Sequence, residues 1–210
     1  MDLGIQIDDV KGFLDPAEGA SLYAVAAEMA VQGPCLEVGS YCGKSSVYIG
    51  AACKTVGGQL FAVDHHRGSE ENQRGEEYHD ADLFDPFTGR LDSLPFFRRT
   101  LYKAGLEKTV IPIVGPSEQV AKYWNTPLAF LFIDGGHSMK AALSDYQLWT
   151  RHLLPGGVLA IHDVFPNPAD GGRPPYEIYK LALMSGLFEE LAMVKSLALF
   201  RRLGNAGFNK

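Results

Sequence analysis

The sequence predicts an α/β fold: a doubly wound, mostly parallel sheet of seven strands that closes in a C-terminal antiparallel hairpin. Three observations carry this expectation. Short apolar runs each end in a turn signal or an acid: CLEVG at 35–39, QLFAVD at 59–64, TVIPIVG at 109–115, LAFLFID at 128–134 and GVLAIHD at 157–163. Helical patterns lie among them, at 45–54, 117–124 and 138–152. Nearly continuous apolar strands alternating with helices indicate a parallel sheet covered on both faces. Near the C-terminus, ELAMVK and SLALFRR at 190–202 follow one another with almost nothing between, as the two strands of a hairpin do.

Each element has its own local reason. Residues 15–31 open with Asp-Pro and place Leu22, Val25, Ala26 and Met29 at helical spacing, which predicts a first helix. In 138–152 the stripe is Met139, Leu143, Tyr146, Trp149 and Leu153. Trp124, Trp149 and Tyr146 fit helix packing. Two segments break the alternation. Residues 65–95 hold eight Asp or Glu against three Arg and are too long for an ordinary strand-to-helix connection. Residues 165–176, FPNPADGGRPPY, follow a strand and contain four prolines. Both read as lids.

Composition bounds the function. At 210 residues and 46% hydrophobic content the chain can bury a sizeable core, so 1–210 reads as a single domain. Net charge is −6 with no basic stripe, which argues against nucleic acid as a partner. The first twenty residues carry five acidic groups, and no stretch approaches the roughly 18 apolar residues of a membrane span, so no membrane association is expected and the default location is cytoplasmic. Cys35, Cys42 and Cys53 lack CxxC spacing and read as small buried thiols.

In an open α/β sheet, ligands bind outside the carboxyl ends of the strands. The first strand closes in Glu37-Val38-Gly39-Ser40-Tyr41-Cys42-Gly43-Lys44-Ser45-Ser46, where Gly39 and Gly43 let the backbone approach a ligand and turn into a helix with free N–H groups. The spacing is neither GxGxxG nor GxxxxGK(S/T), which disfavours a pyrophosphate and leaves a smaller nucleoside carrying a carboxylate and an amine, such as S-adenosylmethionine. Glu37, Gly39, Ser40, Tyr41, Gly43 and Ser45 are therefore candidate cofactor-binding residues. Asp64, closing the second strand, suits the ribose hydroxyls. Ser117 either flanks an adenine or caps the following helix. His65, His66 and His79 border the acidic segment, and His65 joins the cofactor candidates.

Asp134 closes one strand and Asp163 the next; if these strands are neighbours, about 4.8 Å apart, the two carboxylates converge. Converging carboxylates repel unless one is protonated or a hard divalent ion such as Mg2+ lies between them. Asp134 and Asp163 are thus the candidate metal ligands, and Asp134 borders the cofactor as well. His137, past two glycines, is placed as a general base, with Asp134 as its catalytic companion. Coordination and a base are what an alcohol needs before attacking a methyl sulfonium. Strand alternation points His162 to the opposite face from Asp163, which assigns it to the core or to a supporting role.

EVGSYCGKSS and the acid at Asp64 resemble the class I S-adenosylmethionine-dependent methyltransferases with their Rossmann-like sheet, over about residues 15–202. IDGGH followed by PGGVLAIHD is similar to the metal-dependent sugar O-methyltransferases of the macrocin O-methyltransferase type. The acidic segment and GGRPPYEIY resemble the mycobacterial 1-O-methyltransferases of methylmannose polysaccharide synthesis. The resemblance implies Mg2+ on Asp134 and Asp163, His137 as base, and a sugar or oligosaccharide acceptor. Such enzymes carry an acidic pair where this chain has His162-Asp163, so the third protein ligand is open. Also open are a metal-free O- or N-methyltransferase, a nicotinamide oxidoreductase, a non-catalytic cofactor-binding protein, and association into a homodimer.

Overall fold

The computed structural model of the chain describes residues 1–69, 80–136, 138–167, 170 and 173–204. Helix α1 (Pro16–Met29) begins where the sequence signals it: Asp15 accepts from Ala17 N–H, Glu18 reaches back to the Asp15 N–H, and Pro16 takes the first helical position. Strand β1 (Cys35–Val38) follows, then α2 (Lys44–Val56), entered through Gly43 and left through Gly57, both left-handed. Strand β2 (Leu60–Asp64) leads into the acidic segment. That segment contains a two-stranded hairpin, β3 (Phe84–Asp85) with β4 (Arg90–Leu91), and runs directly into α3 (Leu94–Lys103). The sequence reading has no helix there; α3 buries Phe97, Thr100 and Leu101, a single narrow stripe flanked by arginines.

The remaining elements are β5 (Val110–Val114), α4 (Ser117–Tyr123), β6 (Leu128–Ile133), α5 (Met139–Trp149), β7 (Leu153–Ile161), α6 (Pro174–Met184), β8 (Phe188–Val194) and β9 (Leu197–Arg202). Leu153 begins β7 rather than ending a helical stripe. The buried face of α5 runs through Ala142, Asp145, Tyr146 and Trp149, while Met139 is exposed.

Among the described residues the main sheet has seven strands in the order β5-β2-β1-β6-β7-β9-β8. Pairing is parallel through β7 and antiparallel between β7, β9 and β8. The chain steps outward from β1 in one direction and from β6 in the other, so the two adjacent strands β1 and β6 mark the switch point where a ligand crevice opens. Core residues alternate between faces along β6. Phe130 and Phe132 join Leu22, Met29, Ile49 and Phe97 on one side; Leu131 and Ile133 join Leu36, Trp149 and Phe200 on the other. Burial on both faces explains why these strands read as unbroken apolar runs, and truncating Phe130 or Phe132 to Ala would cost about 3–5 kcal/mol. The three cysteines are buried free thiols. Among the described residues no helix is long and apolar enough to cross a membrane.

Candidate active site

A cleft of about 950 Å³ lies at the carboxyl ends of β1, β2, β6 and β7, and its lining includes Gly39, Ser40, Tyr41, Ser45, Asp64 and His65. The turn after β1 is shaped by close approach. Gly39 has φ +86°, and a Cβ there would sit 2.0 Å from the carbonyl oxygen of Asp134 on the neighbouring strand. Tyr41 is also left-handed, at φ 46°. Asp64 holds this turn from across the sheet: Oδ2 accepts from the backbone N–H groups of Ser40 (2.9 Å) and Tyr41 (2.8 Å), and Oδ1 from that of His66 (2.7 Å). A carboxylate has about four acceptor positions, so roughly one remains for a ligand hydroxyl.

The structure places Glu37 beneath the turn rather than in the cleft. It is fully buried, accepting from the hydroxyls of Ser45 (2.5 Å) and Ser46. Burial pushes its carboxyl up to about 7 against the pull of those hydroxyls. Gly43 is the N-cap of α2, packed near Phe97. His66 is buried, with Nδ1 2.8 Å from Ser93 Oγ, so it supports the start of α3.

At the other end of the cleft, β6 and β7 are parallel neighbours, and Asp134 and Asp163 do meet. They meet around His162. Donor atoms of Asp134, His162 and Asp163 all lie within 4.8 Å of one another. His162 Nδ1 is 3.0 Å from Asp134 Oδ1 and 3.5 Å from Asp163 Oδ1, and Nε2 is 3.0 Å from Glu18 Oε2. The expectation that Asp163 faces away from His162 is thereby corrected, whereas the burial of His162, 4% exposed, agrees with its expected core or supporting place. Strand β7 ends at Ile161 and Asp163 is left-handed at φ 56°, so alternation no longer governs the pair.

Glu18 is the residue the sequence reading missed. It is 2% exposed; Oε1 accepts from Ser196 N–H (2.9 Å) and Ser196 Oγ–H (2.8 Å) in the β8–β9 turn. Burial pushes its carboxyl up, but the bonds and charge of His162 and the donors of Ser196 hold it below its ordinary value. Burial likewise disfavours charge on His162, yet Asp134 first, then Asp163 and Glu18, raise it well above the ordinary imidazole range. Three carboxylates thus favour the charged form of a buried imidazole.

A further carboxylate, Asp145, reaches the cleft from α5 although it is 5% exposed. Trp149 Nε1–H donates to Ser117 Oγ (2.7 Å), whose hydroxyl donates to Asp145 (2.6 Å). Burial pushes Asp145 up to about 6 despite the Ser117 bond. The near wall is the segment Lys11–Leu14, where Lys11 Nζ pairs with Asp80 (2.5 Å) and Asp82 (2.8 Å).

Residues 36–164 match the model of a family described as a methyltransferase domain. The chain belongs to that family. Solved structures of similar fold include cofactor-bound Rv0187 from MTB (16% identity over 94% of this chain and 85% of that one, TM-score 0.67). An SAH-bound methyltransferase from Podospora anserina is 14% identical over 92% of this chain and 80% of its own, TM-score 0.65. The O-methyltransferase from Bacillus cereus in complex with SAH is 15% identical over 91% and 83%, TM-score 0.62. These likenesses establish a shared Rossmann-like methyltransferase fold.

In this methyltransferase domain Gly39, Ser40, Tyr41, Ser45, Asp64, His65, Ser117, Asp134 and Asp163 all line one cleft, together with His162 and Asp145. His137 and His79 lie outside the described residues, as do 70–79 and residues 168, 169, 171 and 172 of the two segments read as lids.

Proposed function

We propose that the chain transfers a methyl group from S-adenosylmethionine to a hydroxyl of a sugar or similar neutral polyol, with Mg2+ or a related divalent cation held by Asp134 and Asp163. The observation that carries this reading is the meeting of two carboxylates from adjacent strands beside the glycine turn of a methyltransferase domain. Donor chemistry supports a cation: two partly exposed carboxylates are a common protein share of a Mg2+ site. Bound there, such an ion lowers the pKa of a coordinated alcohol.

The chain's own residues divide the work. The turn Gly39–Tyr41 and the N-terminus of α2 receive the amino-acid end of the cofactor. Asp64 takes a ribose hydroxyl with its remaining acceptor capacity. Ser117, fixed by Asp145 and Trp149, edges the adenine. His137 removes the acceptor's proton, and the segments 65–95 and 165–176 exclude water and hold hydroxyl, methyl and sulfur in line. Among charged lining residues Asp64, Asp134, Asp145, Asp163, Glu118 and Asp170 outnumber Lys11, Lys44 and Lys140, which favours a neutral acceptor over an anionic one. The sequence resemblance favours a sugar, with the 1-hydroxyl of a methylated mannoside as the specific candidate.

The test is methyl transfer to a panel of sugars with EDTA and with Mg2+ restored. Activity is expected to vanish and return. Full activity in chelator would favour a metal-free methyltransferase, a reading supported by the ring of His162 already bridging Glu18 and Asp134 at 3.0 Å each. His137→Ala is expected to retain cofactor binding and lose roughly 10²–10⁴ in turnover.

A further inference from the structure

The geometry points to His162 as the third protein donor of the cation site: we propose that its Nδ1 joins Asp134 and Asp163 on the ion, and that Glu18 is the positioning residue behind it. This rests on the metal-dependent reading above.

Nδ1 stands 3.0 Å and 3.5 Å from the nearest oxygens of Asp134 and Asp163. Adjacent corners of an octahedron with bonds of about 2.1 Å are about 3 Å apart, so the spacing suits three donors sharing one ion. A second observation is independent of the first. Glu18 lies 3.0 Å from Nε2 on the far side of the ring, with both side chains 3% exposed. Its oxygens already accept from Asp15 N–H, Ser196 N–H and Ser196 Oγ–H, so it is anchored as an acceptor and holds the ring proton on Nε2. Nδ1 is then the nitrogen free to ligate, in the place a proton takes otherwise. A carboxylate behind the imidazole orients ligating histidines and strengthens them as donors.

One imidazole and two carboxylates is also a different donor set from oxygen alone. It favours borderline first-row divalent ions such as Fe2+ or Co2+ over Mg2+, because the nitrogen adds affinity along that series while Mg2+ keeps to oxygen; Mn2+, a hard ion that still accepts an imidazole, serves as the paramagnetic probe. Asp134 and Asp163, about a quarter exposed, leave the open positions of the ion facing the cleft.

The probe is Mn2+ bound to the full chain with S-adenosylhomocysteine, observed by electron spin-echo envelope modulation. A single directly coordinated nitrogen is expected, converted to the ¹⁵N pattern by ¹⁵N-histidine labelling, retained in His137→Ala and lost in His162→Asn. Glu18→Gln is expected to weaken Mn2+ binding by roughly 10–100-fold, with S-adenosylhomocysteine affinity little changed. Bound Mn2+ without nitrogen coupling, or coupling lost in His137→Ala, overturns the assignment of His162 and leaves a cation held otherwise. No Mn2+ binding at all would instead sink the metal-dependent reading. Should His162→Asn fail to fold, the labelled wild type and His137→Ala together still decide.

Discussion

Glu18, in the first turn of α1, and His162, just past the end of β7, lie 3.0 Å apart across 144 residues of sequence. Both are buried, so the contact pairs a carboxylate with an imidazole away from solvent, where neighbouring carboxylates favour the charged ring. Removing Glu18 leaves the Nε2 edge of His162 and both Ser196 donors buried without their acceptor, which is far costlier than losing a surface pair. Glu18→Ala is expected to lower the free energy of unfolding by about 3–5 kcal/mol in urea denaturation. Lys195→Ala, which breaks an exposed pair with Asp15 at 3.8 Å, should cost at most about 1 kcal/mol. Equal effects would show that Glu18 is not the buried acceptor of His162 and Ser196.

Glu37 makes stability depend on pH. Its folded value of about 7 stands above its ordinary 4.5, so between those values the native state keeps a proton that the unfolded chain has lost. Stability therefore falls as pH rises through that window, by up to about 1.4 kcal/mol per unit, and is level above it. Glu37→Gln imitates the protonated form. The wild type is expected to lose stability relative to this variant between about pH 5 and about pH 7.5, read from urea midpoints. Parallel curves for the two proteins would mean that Glu37 is ionised throughout.

Gly39 is required twice over, by its positive φ and by the approach of the Asp134 carbonyl. Gly57 has φ +73° with nothing within 4 Å of a built Cβ. Gly57→Ala should therefore cost only the roughly 1–2 kcal/mol of a left-handed residue. Gly39→Ala must also push β1 and β6 apart at the cleft, so its melting temperature should drop further and its affinity for S-adenosylhomocysteine should fall. Matching melts for the two variants would contradict that close approach.

The fold was legible because its signals are local. Apolar runs such as LFAVD and LAFLFI mark strands buried on both faces, and the acids that end them mark the rim of the cleft. Asp134 and Asp163 could be paired from sequence because neighbouring parallel strands bring their ends to one height. His162 has the buried, supporting place that alternation gave it, against Glu18 of α1; it was Asp163, left-handed at φ 56°, whose turn back toward the ring a period of two could not show. Asp145 did leave a trace, as a carboxylate on the same helix face as Ala142 and Trp149, but apolar spacing alone did not reveal it. Glu18 left none beyond its capping box with Asp15. That pattern explains the residue fully at the level of one helix, and nothing in it announces a histidine at position 162 or a serine at 196.

The bond from Ser196 to Glu18 sets an order of assembly during translation. Strands β1, β2, β6 and β7 leave the ribosome first, bringing the glycine turn and both aspartates. Glu18 waits for its two donors until the last hairpin has been synthesised and has docked. A chain stalled before residue 196 would thus lack two of the donors that fix the carboxylate behind His162.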